Sequence, residues 1–419
     1  MKIRKNKQTL LILAIILLPL SLALELNLSN PLIGYCDEIL TLFMAIYIVL
    51  LFLKGQLYRC DSNMVVLLIV FTVYGLLSNV YSGMAYSWKS AFLDAFLQWK
   101  IFIGFLVGKY ISMEYSDNHI VNSIAKLCKV LLIIGAICGI ISLFVDIGMA
   151  SYSVDQRFGI PAYYFVFGNS GRYGIIVACE LLFILQQYEG KKKVRVYEIL
   201  ALFNMLLTTK GAVYIIFVFY IVLQFIFKKK NENAKIDFKS MIVLGLAGAS
   251  ASTYQISSYL LDNTAPRALL IKYGFVTANK YFPFGSGFAT YGSSEAAKHY
   301  SRLYEQYGWS NKWTMGKSNG EALNDNYLAT IIGETGYFGL IVFLSAFFNI
   351  FKQINAIRCD YKVKAICMSI FIDLFVCFIA TGITKSSIGM MAFLVLGMFC
   401  GLLKNERDVD VAQDAFLES

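Results

Sequence analysis

Residues 259–326 read YLLDNTAPRALLIKYGFVTANKYFPFGSGFATYGSSEAAKHYSRLYEQYGWSNKWTMGKSNGEALNDN, a polar and aromatic-rich stretch in an otherwise apolar chain. About a dozen apolar spans surround it, each close to the roughly 20 residues needed to cross a hydrocarbon core of about 30 Å. The stretch therefore reads as one large segment held outside a bilayer, and binding or chemistry is expected at that face.

Outward from it, the rest of the chain sets the class. Its 419 residues are 58% hydrophobic and only 15% charged, with positive mean hydropathy, which excludes soluble, disordered and fibrous classes. The expected fold is all-α and polytopic, with spans near 8–26, 36–53, 63–82, 90–110, 127–148, 173–188, 196–209, 211–227, 239–258, 326–349, 365–382 and 387–403. In domain terms, helices 1 to 9 fill 1–258, the external loop 259–325, helices 10 to 12 fill 326–403, and 404–419 form a tail. The first span follows Lys2, Arg4, Lys5 and Lys7, and no small-residue cleavage site precedes Glu25, so it reads as a retained helix.

Most of the 37 basic residues fall in the connections shared with the amino terminus, among them Lys191 to Lys193 and Lys228 to Lys230. The positive-inside rule then places both termini in the cytoplasm of a plasma membrane and the long segment outside. That distribution, facing anionic lipid, accounts for the net charge of +10 without a nucleic-acid partner. The nine cysteines offer no external pair and no CxxC, the only histidines are His119 and His299, and there is no phosphate loop or dinucleotide fingerprint. Neither metal nor cofactor is expected. The two halves are not self-similar, which argues against a transporter of inverted repeats.

Several motifs sit at the predicted outer face. Arg157-Phe158-Gly159 is followed by Asn169-Ser170-Gly171-Arg172 at a helix start. Thr208-Thr209-Lys210-Gly211 forms a tight turn, then come Arg267, the run Pro283-Phe284-Gly285-Ser286-Gly287-Phe288-Ala289-Thr290, and Asp325-Asn326-Tyr327-Leu328 ahead of Glu334-Thr335-Gly336-Tyr337-Phe338-Gly339. This arrangement resembles the O-antigen and capsule polymerases of the Wzy type and their relatives, the O-antigen ligases. Ligases usually have histidine where Asp325 stands here, which tilts the resemblance towards polymerase.

The resemblance implies a GT-C-like, metal-independent glycosyltransferase acting on undecaprenyl-diphosphate-linked oligosaccharides in the cell envelope. Membrane lipids, a chain-length regulator and a flippase are its implied partners. Alternatives are an O-antigen ligase, with lipid A-core as acceptor, and a glycolipid flippase or other transporter. A lipid diphosphate leaves as a stable anion, so catalysis needs cations and donors aimed at its oxygens. Arg157, Arg172, Lys210 and Arg267 supply cations at the expected headgroup level, against the plainer reading that they snorkel.

Asp325 is the first candidate for the proton acceptor, although an Asp there also suits a helix N-cap. His299 is the alternative, on what reads as one amphipathic surface helix over 293–308. Gly285 and Gly287 permit close backbone approach to a diphosphate or sugar, or a simple turn. Asn326 is expected to bind glycan, with Asn169 and Glu334 in supporting roles. Asp94, Lys100 and Asp373 are expected to pair between helices, and Asp94 and Lys100 are spaced so as not to pair with each other. The aromatic residues of the insert suit either sugar stacking or the membrane interface.

Overall fold

A computed structural model describes residues 14–24, 36–113, 119–157, 159–188, 194–230, 235–236 and 265–417. The predicted ninth span and the first residues of the insert, 259–264, lie outside them. The described chain is 75% helix with little strand. Its helices are α1 (Ala14–Leu24), α2 (Cys36–Leu53), α3 (Arg59–Ser82), α4 (Trp88–Met113), α5 (His119–Ile141), α6 (Ser170–Gln187), α7 (Val194–Leu207) and α8 (Gly211–Lys230). Then come α9 (Pro266–Lys280), the short α10 (Ser294–Lys298) and α11 (Arg302–Gln306), α12 (Tyr327–Ala356), α13 (Tyr361–Ala380) and α14 (Ser387–Leu417). Seven of these are long and apolar enough to cross a membrane, which makes the chain a multi-pass membrane protein. One correction to the all-helical expectation is a small antiparallel hairpin, β1 (Ala150–Arg157) with β2 (Ile160–Tyr163).

The helix ends sort into two faces of the bundle. At one, Ser82 of α3 donates to the carbonyl of Ser286, and Asp94 of α4 accepts from Ala289 N at 2.7 Å, so the 265–326 segment sits here. At the other, Lys109, Asp61 and Gln353 interlock, and Lys362 meets Glu198 at 2.7 Å. Basic residues of the predicted inside connections, such as Lys109 and Lys362, belong to this second face.

Glycine sets the closest helix pair. A Cβ on Gly108 would lie 2.0 Å from the carbonyl oxygen of Leu394, and one on Gly397 would lie 1.9 Å from that of Phe105. Gly104 and Gly108 on α4 thus oppose Gly397 and Gly401 on α14, two Gly-x-x-x-Gly motifs whose lack of side chains brings the backbones together. Several charges within the bundle are paired between helices, which offsets the cost of burying them. Lys100 of α4 meets Asp37 of α2, so Lys100 pairs between helices and not with Asp94. Asp373 departs from its expected pairing: its Oδ1 is buried with no hydrogen-bond partner among the described residues.

The insert is a folded unit rather than a surface strip. Leu270, Tyr291, Leu303, Tyr304, Trp309 and Leu323 form its own core, and each large apolar side chain buried there contributes about 1.5–3 kcal/mol. Tyr304 stacks on Trp309 with centroids 5.5 Å apart, so these rings are spent on packing and not on an open sugar groove. The expected single helix over 293–308 is two short helices instead. Ser293 caps the first, Ser301 caps the second, and Tyr300 breaks the path between them with φ of 45°.

Candidate functional site

Helix α12 is interrupted at Gly336, where φ is 62° and ψ −165°. The break leaves carbonyls without helical donors, and buried carbonyls need partners. The insert supplies them: Ser286 N donates to Gly333 O at 3.0 Å and Gly287 N to Glu334 O at 2.7 Å. A side chain on Gly285 would collide with the Glu334 backbone at 2.5 Å, and one on Gly336 with Phe284 O. Gly285 therefore serves close packing of the insert against α12, and Gly287, where a Cβ would lie 2.5 Å from Asn79, close packing against α3; both face protein instead of an open ligand path.

The rest of this turn is held by side chains from the helices. Asn79 of α3 receives Phe288 N at 2.9 Å and donates to Phe288 O at 2.8 Å. Asp94 takes Ala289 N, and Glu334 Oε1 takes Thr290 N at 3.0 Å, Tyr291 N at 3.2 Å and the Ser293 hydroxyl at 2.8 Å. Asp94 thus answers a backbone turn and also contacts the Glu334 carboxyl. Glu334 thereby ties the turn of the insert to α12.

Above this floor lies a cavity of about 440 Å³. The first turn of α2 brings Asp37 and Glu38, α4 brings Asp94 and Gln98, and the start of α6 brings Asn169 and Arg172. The insert contributes Ser293, Ser294, Asn324 and Asp325, and the short 3-10 turn Ile383–Lys385 adds Lys385. Acidic and basic groups face each other across it, so it suits a ligand that carries both anionic oxygens and hydroxyl donors.

Each wall is locally fixed. Asn169 caps α6, its Oδ1 accepting from Gly171 N at 2.9 Å and Arg172 N at 3.3 Å, and this sets the direction in which Arg172 leaves the helix. Arg267, in the first turn of α9, reaches Asp325 Oδ2 through Nε at 2.7 Å and Nη2 at 2.6 Å. Among the described residues, Asp325 Oδ1 receives no hydrogen bond. The cap of α12 is Asn326 and not Asp325, with Oδ1 accepting from Ala329 N at 2.8 Å and Nδ2 donating to Ile379 O at 2.9 Å. Fully buried in that task, Asn326 does not reach the cavity expected of a glycan ligand.

The other predicted cations and the histidine fall elsewhere. The Lys210 stem packs beside Gly171 at the start of α6, next to the cavity wall. Arg157 ends β1 and lies near Tyr214 of α8. His299 stacks on Tyr86 with centroids 4.1 Å apart and has Nε2 3.6 Å from Glu295, on the insert's surface and off the cavity wall.

Sequence reasoning passed over Lys385 as a site residue. Its Nζ donates to Gly292 O at 3.0 Å and lies 3.4 Å from Thr330 Oγ1. Burial pushes its ammonium down to about 8, opposed by the nearby Asp94, Glu334 and Asp325 carboxylates. Its signal was the polar break Thr384-Lys385-Ser386-Ser387 between two apolar spans, on the same predicted face as the insert. Asp37, Glu38 and Gln98 had no comparable signal, since only the packing of α2 on α4 brings them to the cavity. No protein-family model and no curated protein matches this chain.

Proposed function

We propose that this protein is a repeat-unit polymerase, a metal-independent glycosyltransferase embedded in the bacterial plasma membrane. It joins undecaprenyl-diphosphate-linked oligosaccharides into surface polysaccharide at the outer face. On this reading the chain has about twelve spans in a GT-C-like arrangement, with both termini cytoplasmic and the insert external. A flippase delivers the substrate and a chain-length regulator acts beside it. The observation that carries the reading is the convergence of Asn169, Arg172 and Asp325 on one cavity, with Arg267 behind Asp325. These residues come from three separate motifs of the polymerase-like pattern.

The transfer needs an anion held at one wall and an acceptor hydroxyl at the other. Arg172 binds diphosphate oxygens through charge-assisted hydrogen bonds, with Lys210 adding positive charge beside the same helix start. Asp325, fixed through Oδ2 by Arg267, offers Oδ1 to hydroxyls of the acceptor sugar. The acceptor oxygen forms a bond to the anomeric carbon. The bond from that carbon to the diphosphate oxygen breaks, its electron pair stays on the diphosphate, and the hydroxyl proton passes to a group in the cavity. The outward apolar face of α2, with Phe43, Ile46 and Val49 exposed along the helix whose first turn lines the cavity, suits the polyprenyl tail.

The test is deletion of the gene and complementation with wild type, Arg172→Ala or Arg157→Ala. The expected result is single repeat units on the surface after deletion, a restored ladder with wild type and Arg157→Ala, and none with Arg172→Ala. Full-length polymer retained on the lipid carrier after deletion would contradict the polymerase and identify a ligase instead.

A further inference from the structure

Two hydrogen bonds orient the Lys385 side chain. The amine donates to Gly292 O at 3.0 Å and lies 3.4 Å from the Thr330 hydroxyl oxygen, whose own hydrogen goes to Gly292 O at 2.6 Å or Asn326 O at 3.0 Å. A lysine nitrogen bonded to Cε and giving two N–H groups to protein acceptors has one tetrahedral position left. Lys385 lines the cavity alongside Arg172 and Asp325, and that remaining position is the one available to a ligand. In a neutral amine it is a lone pair.

The charged groups around it come from every neighbouring element. Asp94 of α4, Glu334 of α12 and Asp325 of the insert act on it electrostatically, the Tyr327 ring lies 5.8 Å away, and Asp37 and Glu38 of α2, Lys100 of α4 and Arg172 of α6 share the cavity. The three carboxylates stabilise the ammonium, yet burial outweighs them. The structural devices that hold the amine, Gly292 O and Thr330, are themselves pinned by the Glu334-centred turn.

Resting on the polymerase reading, we infer that Lys385 is the catalytic base that takes the proton of the acceptor hydroxyl during transfer. The hydroxyl oxygen bonds to the anomeric carbon, the diphosphate departs with the electron pair of the broken carbon–oxygen bond, and the proton moves to the neutral Lys385 amine. The product state then holds a new ammonium beside the departing anion, so the base becomes a counter-ion of the leaving group. Asp325 positions the acceptor and does not take its proton. A base of this kind works near its own pKa, about 8 here, where its neutral fraction is large and its proton affinity still useful.

Two measurements on the purified full-length protein decide this. The first labels wild type with an amine-reactive acylating reagent across pH, with peptide mass spectrometry at Lys385 and at the exposed Lys312. The expected midpoint is near 8 for Lys385, against about 10.4 for an ordinary lysine. The second measures polymer formed from lipid-linked repeat units in proteoliposomes by wild type, Lys385→Arg and Asp325→Asn. Wild-type rate is expected to fall about tenfold per unit well below pH 8. Lys385→Arg keeps the charge but cannot deprotonate, and is expected to lose at least about 100-fold. Asp325→Asn is expected to raise KM and, because it removes one of the carboxylates that stabilise the ammonium, to move the pH profile to slightly lower pH without abolishing turnover. A labelling midpoint near 10, or near-normal turnover by Lys385→Arg, would overturn the base role with the polymerase intact. A midpoint near 8 with no polymer from wild type at any pH would overturn the polymerase reading instead.

Discussion

Glu334 illustrates how single residues carry this architecture. Its Oε1 accepts from two backbone N–H groups and one hydroxyl of the insert, all buried. Leaving a buried donor unmatched costs about 1–3 kcal/mol. Glu334→Ala is therefore expected to destabilise the protein by several kcal/mol, and Glu334→Gln, which keeps an acceptor oxygen, by distinctly less; thermal unfolding in detergent measures both. Equal loss in the two variants would show that charge rather than hydrogen bonding holds the turn. The sequence motif around Glu334 was legible, but its partner was not, because Thr290, Tyr291 and Ser293 reach it only after the insert folds back on α12. The same nonlocality hid Lys385, whose neighbours Gly292 and Thr330 lie far away in the chain. Asn326 shows the converse, a residue read as a ligand whose side chain is consumed by a local helix cap.

Among the elements, the α4 and α14 pair depends most on the absence of side chains. Any Cβ at Gly397 or Gly108 enters the carbonyl of the facing helix. Overpacking of this kind costs about 1–3 kcal/mol or more for each methylene-scale insertion. Gly397→Val is expected to cut the yield of folded protein and lower its melting temperature, while Gly55→Ala, where a Cβ would meet nothing within 4 Å and φ is 63°, costs only the strain of a left-handed alanine and leaves the helix pair untouched. Comparable melting of Gly397→Val and wild type would contradict the close backbone contact. Helix positions were readable from apolar runs alone: predicted 36–53 is Cys36–Leu53, and predicted 211–227 is Gly211–Lys230. The glycine motifs were equally visible as strings, yet nothing local says that a motif at 104 faces one at 397. Short-range signals also misled over 293–308, where helical spacing of apolar residues comes from two capped turns wrapped around Trp309.

For the whole molecule, the bundle keeps most of its described buried charge at its two ends and has a polar cavity at the face that carries the insert. Composition and charge distribution were enough to foresee a multi-pass protein with one elaborated face. They did not reveal that the insert's aromatic residues pack on one another, nor that the cavity sets carboxylates against cations in nearly equal measure. That balance matters to function, since a purely cationic site would bind the diphosphate and offer nothing to the acceptor sugar. The central claim, that this cavity joins lipid-linked repeat units, is tested most directly by reconstituting the purified protein alone in liposomes with undecaprenyl-diphosphate-linked repeat units and resolving the lipid-linked products by length. The account predicts a ladder of multiples that forms with chelator present and vanishes in Arg172→Ala; unextended single units with a folded wild-type protein would contradict it.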